Sequence, residues 1–472
     1  MKAIVAAPSR ERFGHAAALP SVAGQRDVAR WWLLFFIAFQ IVCQLLLLRP
    51  EIQPIRGFVR AGSFGVALLL LLAIHGKPQA DRISRFLIVA LVFIGIGLFH
   101  PQTPSILAAV GVVALYLAVF SPVFWVSRLR INLDTLRIIM IALWAFHALS
   151  STVGVLQTYF PGQFMGAVSS ILEAKPAYLD GLMIQLDDGT RVFRPMGLTD
   201  QPGGASISGM YVCLFGMALL LDRRYRWWRI LFALGMTAGL YCLLLSQVRV
   251  FMVALAICFV AFMAVLAIRG QSPRLFVIIG WLAAVIVVSA TWAMSIGRQA
   301  VLARLITLVE QDPLAVYAGN RGIFLEYTLK YVIWEHPLGA GLGRWGMANL
   351  YVGDPSQALW SEINWTAWCY DGGVPLMLVM ACVMIYSTFR AYKVTADRSS
   401  SDWCIWGAMV VGYNLAFFAT TFCGNPLLSQ MGIEYFMLNT VFYTAWMQRE
   451  RVPRNSIAAR VVHARAGRGV CA

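Results

Sequence analysis

Residues 31–48 read WWLLFFIAFQIVCQLLLL, eighteen positions without a charge. A hydrocarbon core needs about 20 predominantly apolar residues to be crossed as a helix. The run is long enough for that, and a short amphipathic strand would alternate instead. The 30 residues before it are polar and basic and hold no apolar segment of signal-peptide type. The run is therefore expected to be retained as a membrane helix rather than cleaved.

The same pattern recurs from one end of the chain to the other. Of 472 residues, 60% are hydrophobic and 13% charged, and the mean hydropathy is +0.70. A soluble domain of this length does not carry so few charges, and a β-barrel would show alternating segments of about ten residues. The composition fits an all-α polytopic membrane protein. About twelve spans fall near 31–48, 59–75, 86–100, 105–125, 138–159, 204–221, 229–245, 248–268, 275–296, 365–387, 403–422 and 433–447. That leaves a tail at 1–30, one transmembrane domain at 31–447 and a basic tail at 448–472. Two long connections, about 160–203 and 297–364, interrupt the spans. Loops beyond about 15 residues are usually functional or disordered, and these two contain apolar and aromatic residues. RQAVLARLITLVE (298–310) and GNRGIFLEYTLKYVIWEHPLG (319–339) both have helical spacing.

The net charge of +16 invites a nucleic-acid reading, but its distribution points elsewhere. With the N-terminus inside, every predicted inner loop is basic. Arg26 and Arg30, Lys77 and Arg82, Arg128 and Arg130, Arg223 and Arg224, Arg269 and Arg274, and Arg390 and Lys393 all fall on that side. This is the positive-inside pattern. It places both termini in the cytoplasm and turns the basic loops toward anionic lipid. Nine cysteines are scattered without CxxC or metal-ligand spacing and read as small buried hydrophobes.

The cations that the positive-inside rule does not explain lie on the outer side. Arg191 and Arg194 stand in TRVFRPMGLTDQPGGAS (190–206), where the chain turns toward the sixth span. Guanidinium forks there suit a phosphate or diphosphate, or reach lipid headgroups. Arg249 sits at the junction of two apolar runs in LLLSQVRVFMVALAICF (243–259); at that depth it needs a partner or an anionic ligand. Arg321 opens the helical stretch of the second long loop, with Glu326 and Glu335 as alternative partners. HPLGAGLGRWG (336–346) lacks the strand context of a dinucleotide turn and the GK[ST] of a P-loop, so it reads as a tight return toward the membrane, with His336 stopping the helix.

WSEINWTAWCYDGGVPLM (360–377) carries two acids. Glu362 stands on the outer side, within reach of the arginines, and is the candidate general base; an ion pair is the alternative. Asp371 lies deeper, before Gly372 and Gly373, and reads as a structural acid. Asn364 and Trp365 are candidate acceptor or sugar contacts, by hydrogen bonding and stacking. His147 and Glu434 are the remaining intramembrane polar groups, with helix–helix hydrogen bonding as their expected role. No metal-ligand cluster is spelled out.

The order RPMGLTDQPGGAS, SQVRVFMVAL, GNRGIFLEYTLKYVIWEHPLGAGLG, EINWTAWCYDGGVPLM resembles the O-antigen ligase/polymerase superfamily of bacterial inner-membrane proteins, over roughly 190–390. The resemblance implies a lipid-linked-sugar glycosyltransferase-like fold. It also implies transfer of glycan from undecaprenyl diphosphate at the periplasmic face, with neither metal nor nucleotide sugar. Carried over, Arg194, Arg249 and Arg321, with Arg191 nearby, would hold the diphosphate, and no cofactor is expected. Aligning Asp371 and Gly373 on the family's acidic-x-Gly puts Glu362 where its ligases usually have His. The similar cell-wall polymerases use a carboxylate in a comparable role. The expected function is therefore a polymerase of O-antigen or exopolysaccharide, acting on undecaprenyl-diphosphate-linked oligosaccharide in contact with membrane lipid. A chain-length regulator is a candidate partner, and nucleic acid is not. The alternatives are a ligase to lipid A–core and a polysaccharide transporter or flippase. A transporter should show repeats and broken helices in matching halves, and the sequence offers no convincing repeat.

Overall fold

The computed structural model describes residues 22–79, 81–168, 182–185, 191–296, 312, 315, 317–397 and 401–449. Among them are twelve helices of 16 residues or more. They are α1 (Val22–Leu47), α2 (Arg56–Ala73), α3 (Arg82–Gly97), α4 (Ile106–Val126), α5 (Leu133–Tyr159) and α6 (Gly204–Leu221), followed by α7 (Arg229–Ser246), α8 (Arg249–Ile268), α9 (Ser272–Ile296), α10 (Asn364–Val394), α11 (Ser401–Thr420) and α12 (Gln430–Arg449). One antiparallel hairpin pairs β1 (Met183–Gln185) with β2 (Arg191–Phe193). The molecule is an all-α polytopic protein in its described residues.

Ten of the helical segments are long and apolar enough to cross a membrane, where the sequence led us to expect about twelve. The two exceptions have separate causes. α3 has only 16 residues. α12 is long enough, but Gln430, Glu434 and Asn439 lower its hydropathy, and within its largely apolar buried face Asn439 and Asn414 of α11 exchange amide hydrogen bonds at 2.8 and 2.9 Å. Such a helix is stabilised by its neighbours rather than by lipid. α1 begins at Val22, and its apolar span covers Val28–Leu47, close to the 31–48 expected. The helical stretch expected at 298–310 and the tail at 448–472 beyond Arg449 lie outside the described residues, as do Lys175, Arg298 and Arg304.

α6 is the central helix, buried along nearly its whole length and packed on α5, α7 and α8. α10 lies along α3 and α11, and α12 along α4. Exposed apolar side chains are frequent on α2, α8 and α9, among them Leu69, Leu72, Val253, Val260, Phe276 and Val287.

Contacts between connections sort the bundle into two ends. At one end, Arg137 at the start of α5 joins Asp222 after α6 and Asp402 on α11 at 2.7 Å each. Arg390 of α10 pairs with Asp81 ahead of α3 there. Arg269 and Arg274 reach Thr395 and Ser401. At the other end the two long connections meet the loops after α1, α3, α7 and α11. Ala167 N–H donates to Leu48, Gly341 abuts Gln102–Thr103, Gly203 abuts Val248, and Tyr317 hydroxyl donates to Phe422.

The glycine-rich turn at 336–346 is more than a return. α10 is broken at Gly372 and Gly373, and Gly373 has φ 69°. A helix broken at membrane depth frees peptide groups that lipid cannot satisfy. The turn supplies partners: Ala340 N–H donates to Tyr370 O at 2.8 Å, and Val374 N–H donates to Pro337 O at 3.0 Å. A Cβ on Gly373 would strike the Pro337 carbonyl and lie 2.6 Å from Leu338 Cα. We expect Gly373→Ala to lose roughly 2–3 kcal/mol of stability, read as a lowered thermal midpoint in detergent. Gly270→Ala, at φ 66° but in open space, should cost only the left-handed strain of about 1–2 kcal/mol. Equal losses at the two positions would refute the account of the break.

Candidate functional site

The long-loop end carries Arg191, Arg194, Arg249, Arg321 and Glu362, the residues singled out in the sequence. The start of α10 is anchored to the loop between α11 and α12 by backbone and side-chain bonds. Asn364 N–H donates to Thr421 O at 3.1 Å and to Gly424 O at 3.0 Å. Asn364 Oδ1 accepts from Leu427 N–H at 3.2 Å, and Asn425 Nδ2 donates to Ser361 O at 3.0 Å. Trp365 Nε1 donates to Thr421 Oγ1 at 3.1 Å, and its ring lies 4.9 Å from that of Phe422. Asn364 is fully buried and Trp365 half-buried. In this placement Asn364 acts as a cap for the 421–427 loop, while Trp365 is only partly covered.

Helical residues 318–335 lie across this seam. Thr328 Oγ1 is 2.6 Å from Thr366 Oγ1. Tyr317 hydroxyl donates to Phe422 O at 3.2 Å. The two contacts set the helix so that the Arg321 guanidinium pairs directly with the Glu362 carboxylate. Neither is sealed off: their side chains are 41% and 21% exposed, so an incoming ligand can reach both. Cys423 lies beside them; burial pushes its thiol up, and Arg321 opposes that shift. His336 ends the helical stretch with its ring 6.0 Å from Tyr370. Burial pushes its imidazole below the usual range, so at neutral pH it is an uncharged helix stop.

Arg249 begins α8, directly after Gln247 takes a left-handed turn at φ 56°. α8 and α11 run antiparallel, with Cys258 Sγ 3.6 Å from Gly412 O. Arg249 stands nine residues before Cys258, and Thr421 nine after Gly412. At about 1.5 Å rise per residue the two reach the same level. Arg249 is thus on the rim where Thr421 holds the start of α10. Val248 in turn touches Gly203, the last residue of the loop that Arg194 opens.

That loop is built rigidly. Val192 and Phe193 of β2 are buried, Arg191 is exposed, and Arg194 is half-buried with its N–H on Leu182 O at 3.0 Å. Gln157 of α5 clamps Gly197 through both backbone groups, at 2.8 and 2.9 Å. Asp200 is buried and takes both Arg56, at 3.2 Å, and Arg60 of α2. Two arginines at the long-loop end, Arg56 and Arg60, therefore anchor this loop. Arg344 likewise bonds Gln102, Ala340 and Gln357, and Lys330 pairs with Glu326. The Asp200 anchor escaped the sequence reading; the signal available was an acid in a turn otherwise facing only arginines.

Asp371 is placed apart from this rim, fully buried at the break in α10. Tyr116 hydroxyl donates to its carboxylate at 2.7 Å and Trp345 Nε1 at 2.8 Å. His147 and Glu434 face one another across 3.6 Å between α5 and α12.

The structure thus brings Arg321 and Glu362 into contact and sets Arg249 at their level, and it joins the Arg194 loop to the start of α8. The arrangement offers a carboxylate that can accept a proton beside guanidinium groups that can hold an anion. No family model and no curated protein matches this chain.

Proposed function

We propose that this chain is a glycosyltransferase that polymerises a surface polysaccharide, O-antigen or exopolysaccharide, from units carried on undecaprenyl diphosphate, at the outer face of a bacterial inner membrane. The observation that carries the reading is the Arg321–Glu362 pair, on the same rim as Arg249 and next to the loop that Arg194 opens. A polyanionic diphosphate competes with a carboxylate for a guanidinium. When it takes Arg321, it releases Glu362. The acceptor sugar hydroxyl then attacks the anomeric carbon of the donor, its proton passes to Glu362, and the bond from that carbon to the diphosphate oxygen breaks. The departing diphosphate leaves with its lipid, its negative charge held by Arg321, Arg249 and Arg194. Arg191, exposed on β2, fits a more peripheral contact with the same anion. Trp365 offers an aromatic face for the acceptor sugar. Asn364 fits a positioning role, holding the loop behind Trp365.

Deletion followed by glycan profiling tests the reading. A polymerase-deficient cell retains single repeat units on the lipid core or carrier and loses longer chains. Loss of every attached repeat would make the chain a ligase instead, and retention of repeats on the cytoplasmic leaflet would make it a flippase. Arg321→Ala is expected to give the deletion profile. Arg344→Ala, a cation engaged with Gln102 and backbone carbonyls, is expected to keep long chains.

A further inference from the structure

A cavity of about 100 Å³ opens at the long-loop end between α1, α5, α6 and α12. None of Arg191, Arg194, Arg249, Arg321 or Glu362 lines it; Thr199, Gln201 and Gly204 do. The loop anchored by Asp200 therefore separates the two places: Gly203 faces Val248 on one side, and its neighbours face the cavity on the other.

The lining is amphiphilic in a particular way. Four glutamines border it: Gln40 and Gln44 on α1, Gln201 on the loop, and Gln430 on α12. Gln430 Nε2 donates to Gln40 Oε1 at 3.3 Å, which ties α1 to α12. Deeper walls are apolar, with Phe36, Phe146 and Met437. No lysine or arginine borders the space among the described residues. A phosphate or carboxylate ligand would have no counter-ion here, whereas amide groups both donate to and accept from hydroxyls.

The third feature is the His147–Glu434 pair. His147 Nδ1 is engaged with Ser208 Oγ at 3.3 Å, and Ser208 donates onward to Ser150 at 2.9 Å. His147 Nε2 and Glu434 Oε1 face each other at 3.6 Å, beyond hydrogen-bond reach. Both atoms are buried without a hydrogen-bond partner among the described residues. Both residues border the cavity, so its wall also offers acceptors, the Glu434 carboxylate among them, to a hydroxyl proton.

We propose that this cavity binds an uncharged, hydroxyl-rich amphiphile, a sugar-headed lipid with its alkyl chain along the apolar wall and its hydroxyls on the glutamine amides. The assignment rests on the lining alone and holds whether or not the rim transfers sugars.

The test uses the full chain in phosphatidylcholine nanodiscs and an alkyl glucoside with a diazirine in its tail. Light-induced labelling is expected to concentrate on peptides spanning residues 36–44 and 430–437. Octyl glucoside should compete and octyl phosphate should not. Ile207→Trp, which fills the cavity from α6, should abolish the competed labelling. Gln201→Leu, an exposed loop position, should weaken competition roughly tenfold, the worth of one hydrogen bond. Glu362→Gln, on the rim, should leave labelling unchanged. Equal competition by octyl phosphate, or labelling spread over all lipid-facing helices, would overturn the proposal. If Ile207→Trp does not fold, Gln201→Leu decides: unchanged affinity means that the cavity holds only water and the proposal falls.

Discussion

Glu362→Gln is expected to abolish chain extension while leaving the protein folded. The amide keeps the size of the carboxylate but cannot accept a proton, so the chemical step should slow by about 10²–10⁴-fold, the usual contribution of a general base. The ion pair with Arg321 is also lost, but a half-exposed pair is worth only about 0–1 kcal/mol. Thermal stability in detergent should therefore move little. The measurement is transfer in vitro with purified lipid-linked donor, alongside the thermal midpoint. Glu362→Asp should recover part of the rate, because it restores the proton acceptor on a shorter arm. A glutamine variant with full activity would remove Glu362 from the chemistry and leave it as the counter-ion of Arg321.

The second large effect lies at the break in α10. Asp371→Ala leaves the Tyr116 hydroxyl and the Trp345 indole N–H without their acceptor in a fully buried place. Each unmade bond of this kind costs about 1–3 kcal/mol, so the loss should be on the order of 4 kcal/mol, and folded yield should collapse. Asp371→Asn keeps one oxygen acceptor and should fall between Ala and wild type. Tyr116→Phe removes one donor and leaves the other bond in place, so its cost should be much smaller than that of Asp371→Ala. The readout is the thermal midpoint of the detergent-solubilised protein together with chain length in cells. A stable, inactive Asp371→Asn would give Asp371 a chemical role and overturn the structural one.

The contrast between these two acids shows what could be read from residues alone. Apolar runs, and basic residues on alternate loops, suffice for an all-helical polytopic chain, because burying backbone in hydrocarbon leaves few alternatives to the helix. The same reading marked Arg321, Glu362 and Asp371 as charges in need of partners. It could not name those partners. Arg321 and Glu362 are joined because Thr328 meets Thr366 and Tyr317 meets Phe422, contacts between segments that carry no mark of pairing in one sequence. α12 reads as a span by its length, while Gln430, Glu434 and Asn439 hold its hydropathy below that of the other ten. The turn at 336–346 shows the same limit: its glycines signal close approach, but not that the approach is to the break beneath Asp371.

By itself, then, the sequence determined the helices, their approximate ends and the excess of cations between particular spans, since each follows from local hydrophobicity and charge. Tertiary structure decided which cations anchor a loop, as Arg56 and Arg60 do on Asp200, and which meet a carboxylate on the rim. It also decided that four glutamines, a histidine and a glutamate from four distant segments border one cavity. The physical reason is range: helix formation is a property of neighbours three and four residues apart, whereas an ion pair or a cavity wall is fixed by packing between helices far apart in the chain.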